Sequence, residues 1–284
     1  MSKKYPGNLT GYFLKVSKMN KYCSLIRYLF SCSVLCFTIP YCYGQKNSDT
    51  TGWVNIFNGK NFDGWTIKIA GHPLNENYRN TFRVQNGILK ICYDEYKTFN
   101  GEVAHLFYNK KLSHYKLRIQ YRFIGEVTPG VPDWNIRNTG VVIYCQSAES
   151  MEMQQAYPVG LKAQFLGGNG KDKRTTGNVV NMGTTVVYNG ERDSSHIINS
   201  TSKTFHGNQW VTIVIEVNAN ESIRHIIDKQ SILKYEKPTL NENDTDAKKL
   251  IVNGDKFLRE GFIALQGEGH PVEFRKVELL VLKE

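Results

Sequence analysis

Close to its end the chain reads "LQGEGHPVEFR", Leu265 to Arg275, which places Glu268, His270, Glu273 and Arg275 within eight residues. A carboxylate and an imidazole this close could exchange protons with a bound substrate. Residues two apart share one face of an extended segment, so Gln266, Glu268 and His270 are expected to project together. Glu268 would then orient His270 or bind a hydroxyl group. Glu273 and Arg275 are also two apart, but they alternate with apolar Val272 and Phe274 and read as a same-face ion pair belonging to the scaffold. Two side-chain amides add binding capacity. Asn138 follows Arg137 just before an apolar run, and Gln164 lies beside the Gly167-Gly168 turn. An amide donates and accepts at once, which suits a hydroxyl-rich ligand. Trp134 and Tyr157 offer flat apolar faces on which a ring could stack, or they simply pack their loops.

The elements that must position these groups read as β-strands. "HYKLRIQYRFIG" (114–125) alternates Tyr115, Leu117, Ile119, Tyr121 and Phe123 against Lys116, Arg118, Gln120 and Arg122, the period of a half-buried strand. "TGVVIYCQ" is a nearly continuous apolar run, suited to a central strand. "QWVTIVIEVN" alternates again, and "SIRHIIDKQSILKYEKP" reads as a hairpin around Asp228–Lys229–Gln230. Turn pairs such as Asn86-Gly87 and Asn189-Gly190 separate the runs, and the helical signal is confined to a short stretch within 239–251. Many short strands over about 230 residues predict an all-β, two-sheet antiparallel β-sandwich or jelly roll. The expected organisation is a leader at 1–44 and one domain at 45–284.

Charge and cysteine content narrow the function. The formal net charge is +10, but residues 1–44 carry six basic residues and no acid, leaving 30 basic against 26 acidic residues elsewhere. That balance, with no basic run, argues against a nucleic-acid partner. Met19 to Gln45 has a basic start, an apolar centre from Leu29 to Ile39 and a small-residue end, the pattern of a secretory signal peptide. Translation from Met19 and cleavage after Gly44 are expected, with an extracytoplasmic mature protein and no membrane span. Lipid attachment at Cys32 is the alternative, although bulky Phe30 and the continuing apolar run disfavour it. Outside the leader only Cys92 and Cys145 remain, either one disulfide or two separate thiols. There is no spacing typical of a zinc site.

Several stretches together resemble the 3-keto-disaccharide hydrolase family, also known as domain of unknown function 1080. They are "WVNIFNGKNFDGW" (53–65), "AHLFYNKKLSHYKLRIQYRF" (104–123), "RNTGVVIY" (137–144), "PVGLKAQFLGGNG" (158–170) and "LQGEGHPVEFR" (265–275). The resemblance spans residues 52–284. It implies a concanavalin A-like jelly roll acting on glycosides whose sugar a separate oxidoreductase has already oxidised at C3. The implied chemistry is removal of the C2 proton beside the ketone, stabilisation of the enolate, and departure of the group at C1. No redox cofactor is needed for that step, and a divalent cation is left open. The family also has a histidine at the position of His105, which makes His105 a candidate base or else a strand-end histidine.

The sequence departs from the family where it matters most. Relatives usually end the Arg-Asn-Ser-Gly-Val-Met-Ile-His motif in histidine, where this chain has Tyr144. They usually carry a carboxylate where this chain has Lys162, and Cys-Thr-Pro-Gly-Thr where it has "VNMGT". A lysine in place of a carboxylate inverts the local charge and removes a ligand for any divalent ion. The expected catalytic set is therefore His105, His270, Glu268, Lys162 and Tyr144. The expected binding set is Asn138, Arg137, Gln164, Gln266 and Trp134. Two readings follow: an enzyme of altered specificity acting on a glycoside or oligosaccharide, or a carbohydrate-binding module that has lost the reaction. A purely structural module would leave the polar face without a purpose.

Overall fold

The computed structural model describes residues 52–283. The expected leader, its start at Met19, the cleavage after Gly44 and the alternative anchor at Cys32 lie outside the described residues. The described residues form one compact unit.

Its first eight strands are β1 (Val54–Asn55), β2 (Trp65–Ile69), β3 (Phe82–Gln85), β4 (Ile88–Ile91), β5 (Ala104–Leu112), β6 (His114–Phe123), β7 (Asn138–Cys145) and β8 (Gly160–Leu166). There follow β9 (Asn178–Met182), β10 (Thr184–Tyr188), β11 (Glu191–Asp193), β12 (Ile197–Ile198), β13 (Val211–Asn218), β14 (Ser222–Ile227) and β15 (Gln230–Leu240). Helix α1 (Thr245–Lys249) precedes β16 (Gly261–Gly267) and β17 (Val272–Val281). They form two antiparallel sheets. A ten-stranded sheet runs β11-β10-β15-β14-β13-β6-β17-β4-β3, with β1 also on β17. A seven-stranded sheet runs β12-β9-β8-β7-β16-β5-β2. The all-β jelly-roll sandwich expected from the sequence is what forms.

The period-two pattern decides which face is buried. Leu117, Ile119 and Tyr121 of β6 and Ile213 and Ile215 of β13 face Leu106, Val141, Leu161, Phe165 and Leu265 of the other sheet in one continuous core. Tyr121 stacks on Phe165 across the sandwich, with ring centroids 4.6 Å apart. Core burial of this kind stabilises by roughly 25 cal/mol per Å² of apolar surface. The expected hairpin turn is present: Asp228 and Lys229 both have positive φ (50° and 64°), and Ile227 pairs with Gln230. Two such central residues make the turn whose twist matches the strands. Strand β7 has every residue buried and lies between β16 and β8, as its apolar run implied.

The short helix expected within 239–251 forms at Thr245–Lys249. Asp244 accepts hydrogen bonds from the backbone N–H groups of Asp246 and Ala247 and starts the one-turn helix α1. Cys92 and Cys145 are separate thiols in this structure, and burial raises the pKa of both. Glu273 and Arg275 do not pair with each other, contrary to the expectation from their spacing. Glu273 is buried and instead bridges Lys90 at 2.9 Å and Arg122 at 2.7 Å on the neighbouring strands. A register shift between Phe274 and Lys276 turns Arg275 away, and it lies over the Trp210 ring at 4.3 Å. Both residues remain scaffold.

Candidate active site

The seven-stranded sheet has a second face, turned away from the core, and cross-strand register puts a row of polar residues on it. Lys68, His105, Gln266, Gly140, Gln164 and Asn178 are successive partners across β2, β5, β16, β7, β8 and β9. Gly140 leaves a gap in that row, and the Lys162 side chain fills it. A Cβ at position 140 would lie 2.9 Å from Lys162 Cε. The lysine stem therefore crosses β7 over the glycine. Its Nζ donates to Glu268 Oε1 at 2.9 Å and to Asn138 Oδ1 at 3.1 Å. Lys162 and Glu268 are 3% and 2% exposed, so the ion pair is buried.

The neighbouring amides hold this pair in place. Asn138 Nδ2 donates to Asn135 Oδ1, and Asn135 Nδ2 donates to the Glu268 carbonyl at 3.0 Å. Gln164 Nε2 points at Asn138 Oδ1 (3.4 Å), and Asn178 Nδ2 donates to Gln164 Oε1. One carboxylate oxygen stays unengaged: Glu268 Oε2 is buried and has no hydrogen-bond partner among the described residues. A cavity of about 800 Å³ opens over this floor. Lys162, Glu268, Asn138 and Gln164 line it, with Trp134 and Tyr157 on its walls. Trp134 is 66% exposed and stands free at the rim.

Electrostatics separate the candidate proton carriers. Burial lowers the Lys162 pKa, and the Glu268 carboxylate opposes that shift. His105 is pulled down to about 3 by burial and by the charges of Lys162 and Lys68. It is therefore a neutral ring at any ordinary pH. The Gln266 side-chain amide lies 3.1 Å from His105 Nε2. His105 does not line the cavity; it lies beneath the segment carrying Tyr157, 6.5 Å from that ring.

Two expected members are placed elsewhere. Gly269 has a φ of 86°, which breaks the extended run after Glu268. His270 consequently turns to pack edge-on against Phe123 of the other sheet, with centroids 5.4 Å apart. Burial, then Arg137 and Arg174, lower its pKa to about 4. The expectation that Gln266, Glu268 and His270 share one face thus holds for the first two only. Tyr144 also has a positive φ, 51°, and joins the sandwich core. Its hydroxyl donates to the Ala219 carbonyl, far in the chain from any site residue. Arg137 ties down a loop, donating to the Gly207 carbonyl at 2.6 Å and to Asn208 Oδ1 at 3.2 Å, and it does not line the cavity.

Sequence reasoning missed Lys68, Asn135, Asn178 and Arg174. Lys68 is buried and donates to the backbone carbonyls of Ile69, His72 and Met153. Arg174 is buried too, and its guanidinium donates to the carbonyls of Ile136 and Trp134. Lys68 did carry a signal, since it interrupts the strand "WTIKI". Among the described residues no group of three His, Cys, Asp or Glu could hold a metal ion. The residues present do not fit a divalent cation at the Lys162 position, because an ammonium already occupies Glu268 Oε1.

A jelly roll with a polar cleft on its outer sheet face is a common design for carbohydrate-handling proteins. This chain belongs to the family of 3-keto-alpha-glucoside-1,2-lyase-like domains, which it matches over residues 52–280. Among curated proteins none matches it. Solved structures similar to it include a candidate glycosyl hydrolase from Parabacteroides distasonis, at 15% identity over 82% of this chain and 95% of that one, TM-score 0.48. The catalytic domain of LamA from Zobellia galactanivorans is similar at 12% identity over 76% and 92%, TM-score 0.44. The carbohydrate-binding module CBM66 from Bacillus subtilis is similar at 9% identity over 75% and 93%, TM-score 0.40. Family membership gives the chain a carbohydrate-related role.

Proposed function

We propose that the protein cleaves 3-keto-glycosides by removing the proton at C2, with Glu268 as the base and Lys162 as the cation that holds the enolate. The observation that carries this reading is the buried Glu268 carboxylate, which lines the cavity, pairs with the Lys162 ammonium through Oε1 and has no partner for Oε2 among the described residues. A ketone at C3 acidifies the C2 hydrogen. Glu268 takes that proton, and the C–H electron pair moves towards the C3 oxygen. The Lys162 ammonium stabilises the developing charge, an interaction strengthened by burial. The pair then returns, C1=C2 forms, and the bond from C1 to the leaving oxygen breaks. The proton held by Glu268 passes to that oxygen. Addition of water across C1=C2 completes hydrolysis. Asn138 and Gln164 bind hydroxyls, and Trp134 stacks on a ring. The substrate comes from a separate oxidoreductase acting at C3. The leader pattern supports an encounter outside the cytoplasm, which the N-terminal mass of the protein from its native host would test.

The deciding experiment is exchange at C2. In D2O, a 3-keto-glucoside incubated with the protein should lose its C2 proton signal faster than buffer alone allows, and Glu268→Gln should remove the excess rate. Wild-type exchange at the buffer rate would sink the enzymatic reading.

Two observations favour the second reading, a carbohydrate-binding module without turnover. Lys162 already neutralises Glu268, and His105 is held neutral beneath Tyr157. Sugar binding with no C2 exchange would establish that alternative.

A further inference from the structure

The cavity over Lys162 and Glu268 does not end at Trp134. A second cavity of about 470 Å³ adjoins it, and the two share Trp134, Ile197 and Gln164 as lining. The shared residues describe a neck. Trp134 and Ile197 are exposed apolar side chains, 66% and 42% exposed, and Gln164 is a buried amide. A sugar chain passing this neck would lay its apolar ring faces on Trp134 and Ile197 and its hydroxyls on Gln164.

The neck is built rather than incidental. Arg174, 7% exposed, lines the second cavity and donates to the carbonyls of Trp134 and Ile136, fixing the backbone that carries the indole. Asn135, next along, is tied to Glu268 and Asn138. One short segment thus sets both the partition and the reacting pair. The second cavity carries Asp133 and Asp172 against Lys171 and Arg174, two anions and two cations, so it offers no net charge to attract an ionic ligand. Its character suits a neutral polyhydroxylated chain. A cavity of about 800 Å³ already lies in the range that buries a drug-sized molecule, a class that includes a disaccharide.

We infer that the second cavity is a further sugar subsite, and that the preferred ligand is a neutral oligosaccharide of at least three rings crossing Trp134. The inference rests on the carbohydrate reading above, but it concerns chain length and not turnover. The test is binding. Unoxidised glycans of one to six rings, spanning α and β linkages, are presented on an array to the purified protein. The best-retained series is then titrated by calorimetry at each length. Affinity should rise at least tenfold between the disaccharide and the tetrasaccharide. The tetrasaccharide-to-disaccharide affinity ratio should fall towards one in Asn199→Trp and in Lys171→Trp, exposed positions where an indole would fill the second cavity. An affinity that is flat from the disaccharide upward overturns this inference alone, as does an increment that survives both variants. No retention of any unoxidised glycan overturns this inference, while C2 exchange on a 3-keto-glucoside decides the reading it rests on. Length-dependent binding without C2 exchange supports the subsite while contradicting the enzyme.

Discussion

The Lys162 ammonium reaches Glu268 from 106 residues away in sequence, at 2.9 Å, by crossing over Gly140 on the strand between them. That relationship organises the site. It engages one oxygen of the carboxylate and leaves the other without a partner among the described residues.

Breaking the buried pair from one side should be far worse than removing both partners. Loss of one member of a buried ion pair typically costs about 3–5 kcal/mol, because the other charge is left stranded. Lys162→Met and Glu268→Gln should each lower stability strongly in urea unfolding. The double variant should cost clearly less than the two losses added together. Simple additivity would mean that the two side chains do not act as a pair.

Gly140 should tolerate no side chain. A Cβ there would lie 2.5 Å from the Ala163 carbonyl oxygen and 2.9 Å from Lys162 Cε, so backbone or lysine must shift. Gly140→Ala should destabilise by about 1–3 kcal/mol, the usual cost of overpacking. It should also displace the amine from Glu268. A variant as stable and as active as wild type would show that the lysine does not need this passage.

These two residues show what was legible in the sequence and what was not. The sandwich followed from period-two runs such as 114–125, because strand alternation reports directly on which face is buried. Glu268, Gln266, Asn138, Gln164 and Lys162, each a polar side chain on or just beyond a strand, were singled out from the sequence, and the fold brings them to one sheet face. His270 was placed by its two-residue spacing from Glu268, and Tyr144 by the histidine that relatives carry at its position. Counting by twos assumes unbroken extension, and a positive φ at Gly269 reverses the face, while Tyr144, whose own φ is positive, joins the core. Arg174 and Asn135 were missed because their partners are backbone carbonyls and amides brought together only by folding.

Tyr144 should prove structural. Tyr144→Phe deletes the hydrogen bond to the Ala219 carbonyl and should cost about 1 kcal/mol. C2 exchange should be unchanged. A large loss of exchange with little loss of stability would return Tyr144 to the site.

Stability should fall as the medium becomes acidic. His105 is depressed to about 3, and His225 and His270 to about 4, each chiefly by burial. Below roughly pH 6.5 the unfolded chain binds these protons and the folded protein does not, which favours unfolding. Their contribution is therefore complete above about pH 6.5 and is lost as pH falls towards the folded values. Each such group adds up to about 1.4 kcal/mol per pH unit to the slope. Unfolding free energies between pH 7 and 5 should show that slope, reduced in His225→Gln. A flat profile would mean that these rings protonate without unfolding.

The central claim is that Glu268 and Lys162 carry the reaction, and release of the leaving group tests it most directly. Wild-type protein, Glu268→Gln and Lys162→Met, each checked for folding by circular dichroism, are mixed with chromogenic 3-keto-glycosides. The account expects release by wild type and a loss of at least about a hundredfold in Glu268→Gln, in line with removal of a general base. It expects a comparable loss in Lys162→Met, since a single stabilising group contributes about that much. Release that persists undiminished in folded Glu268→Gln would contradict it.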